Sequence, residues 1–358
     1  MNDACKFSQI AAAMLGGCAG VASGDSVRLE WSRCADLPDK LGVAAPFAGS
    51  SRKHLIVAGG ANFPAAMPWE GGKKVWHERI WALDLQQSDA RWQEAGKLPH
   101  PLAYGVSLTI PEGVLCVGGS DAERHHSGVF LLSWGPDGTS IREWPPLPVA
   151  LAHASGAVLV DGRVVIVGGA EKPGEQLASA KVFVIDSKDA APAWSELPPF
   201  PGKPRIMPVT GGVANTLFVF GGAALEPDAA GKVRRVLLKD AWRYTDDAGW
   251  KPLAELPKPV VAAASPAPFI SGELLAVSGD DGSRTGFQPL EKHPGFPDRI
   301  LAFRPETNAW RDAGITPAPR ATLPVAALPS GGFVFPSGEV RPGVRSPEVW
   351  MLKPIHTP

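Results

Sequence analysis

The sequence has little of what marks a nucleic-acid binder, a zinc ribbon or a membrane-spanning chain. Lys and Arg total 35 against 36 Asp and Glu, a formal net charge of −1, so no basic surplus exists to neutralise a phosphate backbone. The four cysteines (Cys5, Cys18, Cys34 and Cys116) include no CxxC pair, which excludes a zinc ribbon and a dense disulfide framework. No P-loop, dinucleotide fingerprint, Gly-x-Ser-x-Gly elbow or HExxH stretch occurs, and nothing calls for a metal or cofactor. Tyrosine is nearly absent, with 2 residues against 12 Trp. What is abundant is Gly (40) and Pro (37), beside a hydrophobic content of 44%, the composition of a folded, turn-rich chain.

A short apolar run ending in a glycine pair recurs every 50 to 59 residues. The runs end at Gly59-Gly60, Gly118-Gly119, Gly168-Gly169 and Gly221-Gly222, with two altered copies at Ser278-Gly279 and Ser337-Gly338. Each is rich in Val, Ile, Leu and Phe and bounded by turn formers, which predicts a buried strand. Downstream of most runs a Trp precedes a Leu-Pro or its equivalent: Trp92, Trp144, Trp194, Trp250 and Trp310. The period is that of kelch-type blades, so the expected fold is an all-β, six-bladed propeller. A missing sixth Trp strand is found at the front, as Leu29-Glu30-Trp31 before Leu37-Pro38. It is expected to complete the last blade, which ends in Glu348–Leu352, and so to leave no open sheet edge.

Residues 1–24 read as a leader and 25–358 as one propeller domain. Phe7 to Ser23 is the long apolar, charge-free stretch, too short and glycine-rich to span a bilayer and better suited to an export signal. Leu15-Gly16-Gly17-Cys18 resembles a lipobox, which makes Cys18 a candidate lipid anchor on an exported, periplasmic or membrane-attached protein. The alternative is an unstructured leader on a cytoplasmic one.

Three long loops each follow a glycine-pair strand and should emerge on one face: 61–77, 280–294 and 338–345. In the last, Gly338-Glu339-Val340-Arg341-Pro342-Gly343-Val344-Arg345-Ser346 closely resembles the Gly-Glu-x-Lys-Pro-Gly-x-Arg-Thr segment of the bacterial N-acetylneuraminate epimerases, the sialic acid mutarotases. Ala58-Gly59-Gly60-Ala61-Asn62-Phe63, Ala103-Tyr104-Gly105-Val106-Ser107-Leu108 and Phe200-Pro201-Gly202-Lys203-Pro204-Arg205 resemble further strings of that family, in a cyclically permuted order. Leu102 stands where the family has Arg.

The resemblance implies an isomerase that interconverts the α and β anomers of N-acetylneuraminate or a related acidic keto sugar. It points to Glu339 and Arg345 as the catalytic pair, and the chemistry suits them. A carboxylate can move protons between the anomeric hydroxyl and the ring oxygen. A guanidinium can hold the sugar carboxylate. Arg205, Arg284, Arg320 and Asn62 are expected to help bind substrate, with an inter-blade salt bridge as the competing role for Arg205 and Arg320. The rival function is a non-catalytic propeller that binds a glycan or a protein, which requires no Glu–Arg pair at the funnel.

Overall fold

In the computed structural model, which describes residues 27–87 and 89–356, six four-stranded antiparallel sheets follow one another around an axis. Blades 1 to 5 begin at the inner strands Phe47–Ser51, Val106–Ile110, Ser155–Val158, Val209–Val213 and Phe269–Ile270. Each runs outward in chain order through its glycine-pair strand. Blade 6 is assembled from both ends of the described chain: Ala326–Ala327, Phe333–Pro336 and Val349–His356, with Val27–Arg33 as its outer strand. Val27 pairs with His356 and Arg33 with Trp350, so the expected closure is what the fold shows. The leader and its candidate anchor Cys18 lie outside the described residues. Among those described, Cys34 and Cys116 are both free thiols.

The glycine-pair strands, such as His54–Ala58 and Gly113–Val117, are buried along their whole length, whereas the outer strand Gln93–Lys97 is almost wholly exposed. A strand covered on both faces needs an unbroken apolar run rather than alternation. The cover comes from the neighbouring blades. Six separate apolar clusters each join two adjacent blades: Phe47 and Ile56 of blade 1 pack with Val114 and Phe130 of blade 2, and Leu55 and Val57 pack with Val334 and Val349 of blade 6. The core is thus a set of six wedges, and none is complete without the next blade.

Backbone hydrogen bonds tie the wedges together at the centre. Each inner strand is entered through a residue with positive φ: Ala45, Tyr104, His153, Met207, Ala262 and Thr322, at 47° to 61°. The N–H of each donates to the carbonyl of the one in the preceding blade. The series from Tyr104→Ala45 through Thr322→Ala262 is closed by Ala45→Thr322, all at 2.7 to 3.0 Å. A second circuit surrounds the first. The second residue of every glycine pair donates to a carbonyl of the next blade, from Gly60→Leu102 (2.9 Å) round to Gly338→Val43 (2.9 Å).

The first glycine of the pair is there for space. A Cβ on Gly59 would lie 2.2 Å from the Leu102 carbonyl oxygen, and one on Gly118 would lie 2.3 Å from that of Leu151. The altered copies, both at the edges of blade 6, solve the same problem with a hydroxyl. Ser337 Oγ donates to Val43 O (2.9 Å) and accepts from Val43 N–H (2.7 Å), and Ser278 Oγ accepts from Arg320 N–H (2.7 Å).

At the rim, four of the outer-strand tryptophans staple blade to blade. Trp92, Trp194, Trp250 and Trp310 donate their indole N–H to Ala35, Pro145, Pro198 and Ala254 carbonyls at 2.8 to 2.9 Å. Two arginines clamp blades from within. Arg205, with no exposed surface, donates to Asp240 through both terminal nitrogens (2.8 and 2.7 Å), and also to Gly221 O and Lys203 O. Arg320 does the same job in blade 6, donating to Glu348 Oε2 (2.5 Å) and to the Ser337 and Glu348 carbonyls. Each acid also accepts the indole N–H of the Trp two residues on, Trp242 or Trp350.

Replacing one partner of such a pair leaves a part-buried charge uncompensated, which is worth about 3 kcal/mol or more. Arg205→Met is therefore expected to lower the unfolding free energy by that amount in urea titration. Arg205→Met with Asp240→Leu is expected to recover part of the loss. An Arg205→Met protein as stable as the parent would remove the clamp.

Candidate functional site

The three long loops meet above the central circuit. Loop 338–345 is a tight hairpin of Glu339–Arg341 with Val344–Arg345. Gly343 sits at its tip in a left-handed conformation (φ 83°), where an added Cβ would press on Pro68 of loop 61–77 at 2.8 Å. Arg341 Nη1 donates to Glu291 O of loop 280–294 (2.7 Å), so the hairpin is braced on both sides.

This brings Glu339 and Arg345 together. Glu339 Oε2 accepts the Thr322 hydroxyl at 3.0 Å, which fixes the carboxylate to a residue of the central circuit. Its Oε1 accepts Gly343 N–H at 2.7 Å. Glu339 therefore faces the axis, as a site at the funnel requires. Arg345 Nη1 lies 3.6 Å from Glu339 Oε1, close enough for charge attraction but too long for a hydrogen bond. The Arg345 side chain is only 3% exposed, and its guanidinium lies over the Phe63 ring at 4.8 Å. Its Nε and Nη1 are buried with no acceptor. A desolvated guanidinium with idle donors is costly unless something fills the position, and an oxyanion is what its geometry suits.

The other expected binding residues are placed elsewhere, for clear physical reasons. Arg205 and Arg320 are not funnel residues: their terminal nitrogens are taken up by Asp240, Glu348 and carbonyls within their own blades. The competing role was nearer, though the pairing is within a blade rather than between blades. Asn62 is 1% exposed and fully engaged, with Nδ2 donating to Gly42 O (2.9 Å) and Asp39 Oδ2 (3.2 Å) and Oδ1 accepting from His77 Nε2 (2.8 Å). It anchors loop 61–77 to the lead-in of blade 1. Arg284 donates to Gly295 O (2.5 Å) and closes its own loop.

Several funnel residues were not anticipated. Phe63, Lys74 and Trp76 come from loop 61–77, and Tyr104 and His153 from the central circuit. Lys74 Nζ lies 4.8, 5.5 and 5.9 Å from the ring centroids of Tyr104, Trp76 and Phe63. His153 stands three blades from Thr322, across the axis. Burial, then the positive charges of His125, Arg235 and Lys74, push its pKa down to about 3, so it is a neutral imidazole at neutral pH. Tyr104 stands in the Ala103–Leu108 string already noted for its resemblance, whereas the signal for His153 comes from superposing the blade entries, where both occupy the position of Ala45 in blade 1. The axial cavity between the inner strands holds about 70 Å³, room for a few waters and not for a sugar. Anything bound must sit on the loop face.

Comparison with known proteins agrees with the resemblance of loop 61–77 and of the Ala103–Leu108 string. Residues 20–141 match the family model for N-acetylneuraminate epimerase. An N-acetylneuraminate epimerase of Yersinia pestis (strain Pestoides F) is 39% identical over 122 residues, covering 30% of each chain. One of Haemophilus influenzae (strain PittEE) is 26% identical over 228 residues, covering 57% of this chain and 58% of the relative. The chain thus matches less than two thirds of the length of these relatives. The solved structure of YjhT superposes with a TM-score of 0.64 at 13% identity, over 91% of this chain and 97% of that one. The chain is similar in sequence to the N-acetylneuraminate epimerases over part of its length, residues 20–141 above all, and its propeller has the fold seen in YjhT.

Proposed function

We propose that this protein is a mutarotase that interconverts the α and β anomers of N-acetylneuraminate or a related acidic keto sugar. The observation that carries the reading is the Glu339 carboxylate held at the axis by Thr322, beside a buried Arg345 whose donors have no acceptor. In the reaction, Arg345 receives the sugar carboxylate. Glu339 takes the proton of the anomeric hydroxyl as the bond from the anomeric carbon to the ring oxygen breaks, and hands that same proton, directly or through a water, to the released ring oxygen. The open-chain ketone turns and recloses on its other face by the reverse steps, which returns the proton to the new anomeric hydroxyl. Atoms and charge balance without a cofactor. The uncatalysed reaction already runs in water, so positioned acid–base help of about 10²–10⁴-fold suffices. The names of the relatives support the substrate class.

The test is a proton NMR time course of α-to-β conversion after enzymatic release of the sugar. Glu339→Gln keeps the shape without the proton carrier, so the rate should fall about 10²-fold or more while binding holds. Arg345→Lys keeps the charge without the planar fork, so it should weaken binding by about tenfold. If wild-type protein leaves the decay unchanged for every sialic acid tried, the mutarotase reading is wrong. Sugar binding without rate would instead favour the non-catalytic propeller.

Export belongs to the same proposal, carried by the apolar stretch before Cys18. Intact mass of the native protein should show loss of the first 17 residues. A full-length cytoplasmic product would overturn it.

A further inference from the structure

On the side of blades 1 to 4 lies a cavity of about 310 Å³ bordered by Lys74, Trp76, Tyr104, His125, His153 and Arg235. Its charge is unbalanced. Lys74, Arg235 and the more peripheral Lys172 have no acidic partner among the described residues and outnumber the two acids of the wall, Asp121 and Glu175, each of which is held by hydrogen bonds within its own loop. Asp121 accepts His126 Nε2 (2.7 Å) and the backbone N–H groups of Glu123 and Arg124 (2.8 Å each). Glu175 accepts the Glu171 N–H (2.8 Å). Two buried polar atoms at the same cavity, Trp76 Nε1 and His153 Nδ1, have no hydrogen-bond partner.

The cavity is continuous in chemistry with the carboxylate-binding Arg345. Both cations address the Phe63 ring, Arg345 at 4.8 Å and Lys74 at 5.9 Å from its centroid. A neutral polyol tail needs hydroxyl partners but no net positive charge. Here Lys74 is half-buried within three aromatic rings, and Arg235 is brought over from blade 4 by the hairpin Ala223–Pro227 with Val233–Leu237. Two cations that border one cavity repel each other, and an anion between them removes that cost.

We infer that the funnel has a second anion-binding pole, and that the preferred substrate carries, at the end away from its carboxylate, an acidic ester such as a phosphate. This rests on the reading of the Arg345 side as the carboxylate pole. Lys74 and Arg235 supply the charge, and the Trp76 indole N–H and the neutral His153 imidazole supply directed hydrogen bonds to the ester oxygens. The assignment narrows the substrate from a monoanionic keto sugar acid to a doubly acidic one.

The probes are a sialic acid and its phosphate monoester on the terminal tail hydroxyl, titrated into the full protein by calorimetry and by phosphorus NMR at low and physiological salt. Wild-type protein should bind the ester about tenfold or more tightly than the parent sugar, with the ratio shrinking as salt rises. In Lys74→Met with Arg235→Gln the ratio should fall to within about twofold of one. Arg235 is exposed, so the single Arg235→Gln variant folds without difficulty and should lower the ratio part-way. Equal binding of the two sugars by wild type, or a ratio that survives in the double variant, overturns the second pole. The mutarotation assay on the parent sugar separates the two ideas. If it fails while ester binding still depends on Lys74 and Arg235, the proposed reaction is wrong and the second pole stands.

Discussion

Everything in this propeller hangs on the closed circuit of six backbone hydrogen bonds around its axis. Each bond requires a residue in the left-handed region, a conformation that costs a non-glycine residue roughly 1–2 kcal/mol. Only a strong reason keeps Tyr104, His153, Met207 and Thr322 there. The alternative is six buried N–H groups without partners, at roughly 1–3 kcal/mol each, so the strain is the smaller cost. The circuit also spaces the candidate site. Thr322, which holds Glu339, and His153, on the opposite wall, are spaced by the blades themselves rather than by flexible loops.

Three arginines lie buried near the loop face, and the difference between them is saturation. Arg205 has every nitrogen engaged by Asp240 or by carbonyls of its blade. Arg320 lacks only a partner for Nε. Arg345 has an aromatic ring beneath it and idle donors. Burial with full pairing is the mark of a clamp, and burial without it is the mark of a site that awaits a ligand. The contrast also explains why charge alone is a poor guide in this fold, where most charged loop residues point at their own chain.

That contrast is what a linear reading cannot supply. The blade count, the strand order and the closure by Trp31 were legible because glycine pairs and tryptophans repeat at a fixed period. The Ser278 and Ser337 copies were legible as blades even though glycine was missing, because the apolar run before them was intact. That Glu339 and Arg345 lie side by side was legible because one short hairpin holds both. The clamps were not. Asp240 lies 35 residues from Arg205 and Glu348 lies 28 from Arg320, and only the sheet brings them together. Asn62 was misread for the same reason: its partners Asp39 and Gly42 come from the lead-in of its blade, across a turn that the loop motif did not reveal. Lys74 and His153 show the opposite failure, since neither belongs to a motif and each gains meaning only from the rings and charges around it.

The closing strand gives the molecule a mechanical character that its round shape conceals. Val27 lies opposite His356 and Arg33 opposite Trp350, so the two outermost segments of blade 6 run antiparallel, with the Val27 and His356 ends at the same edge. Tension applied between those ends would load one residue pair at a time, as in opening a zip, rather than shearing all the rungs at once. Once that seam parted, the wedge between blades 5 and 6, against which Leu29 and Trp31 pack, would lose its outer wall first, and the ring would open into an arc of blades. The protein would thus resist heat and denaturant as a closed ring, yet yield to a pull along one line as a ribbon does.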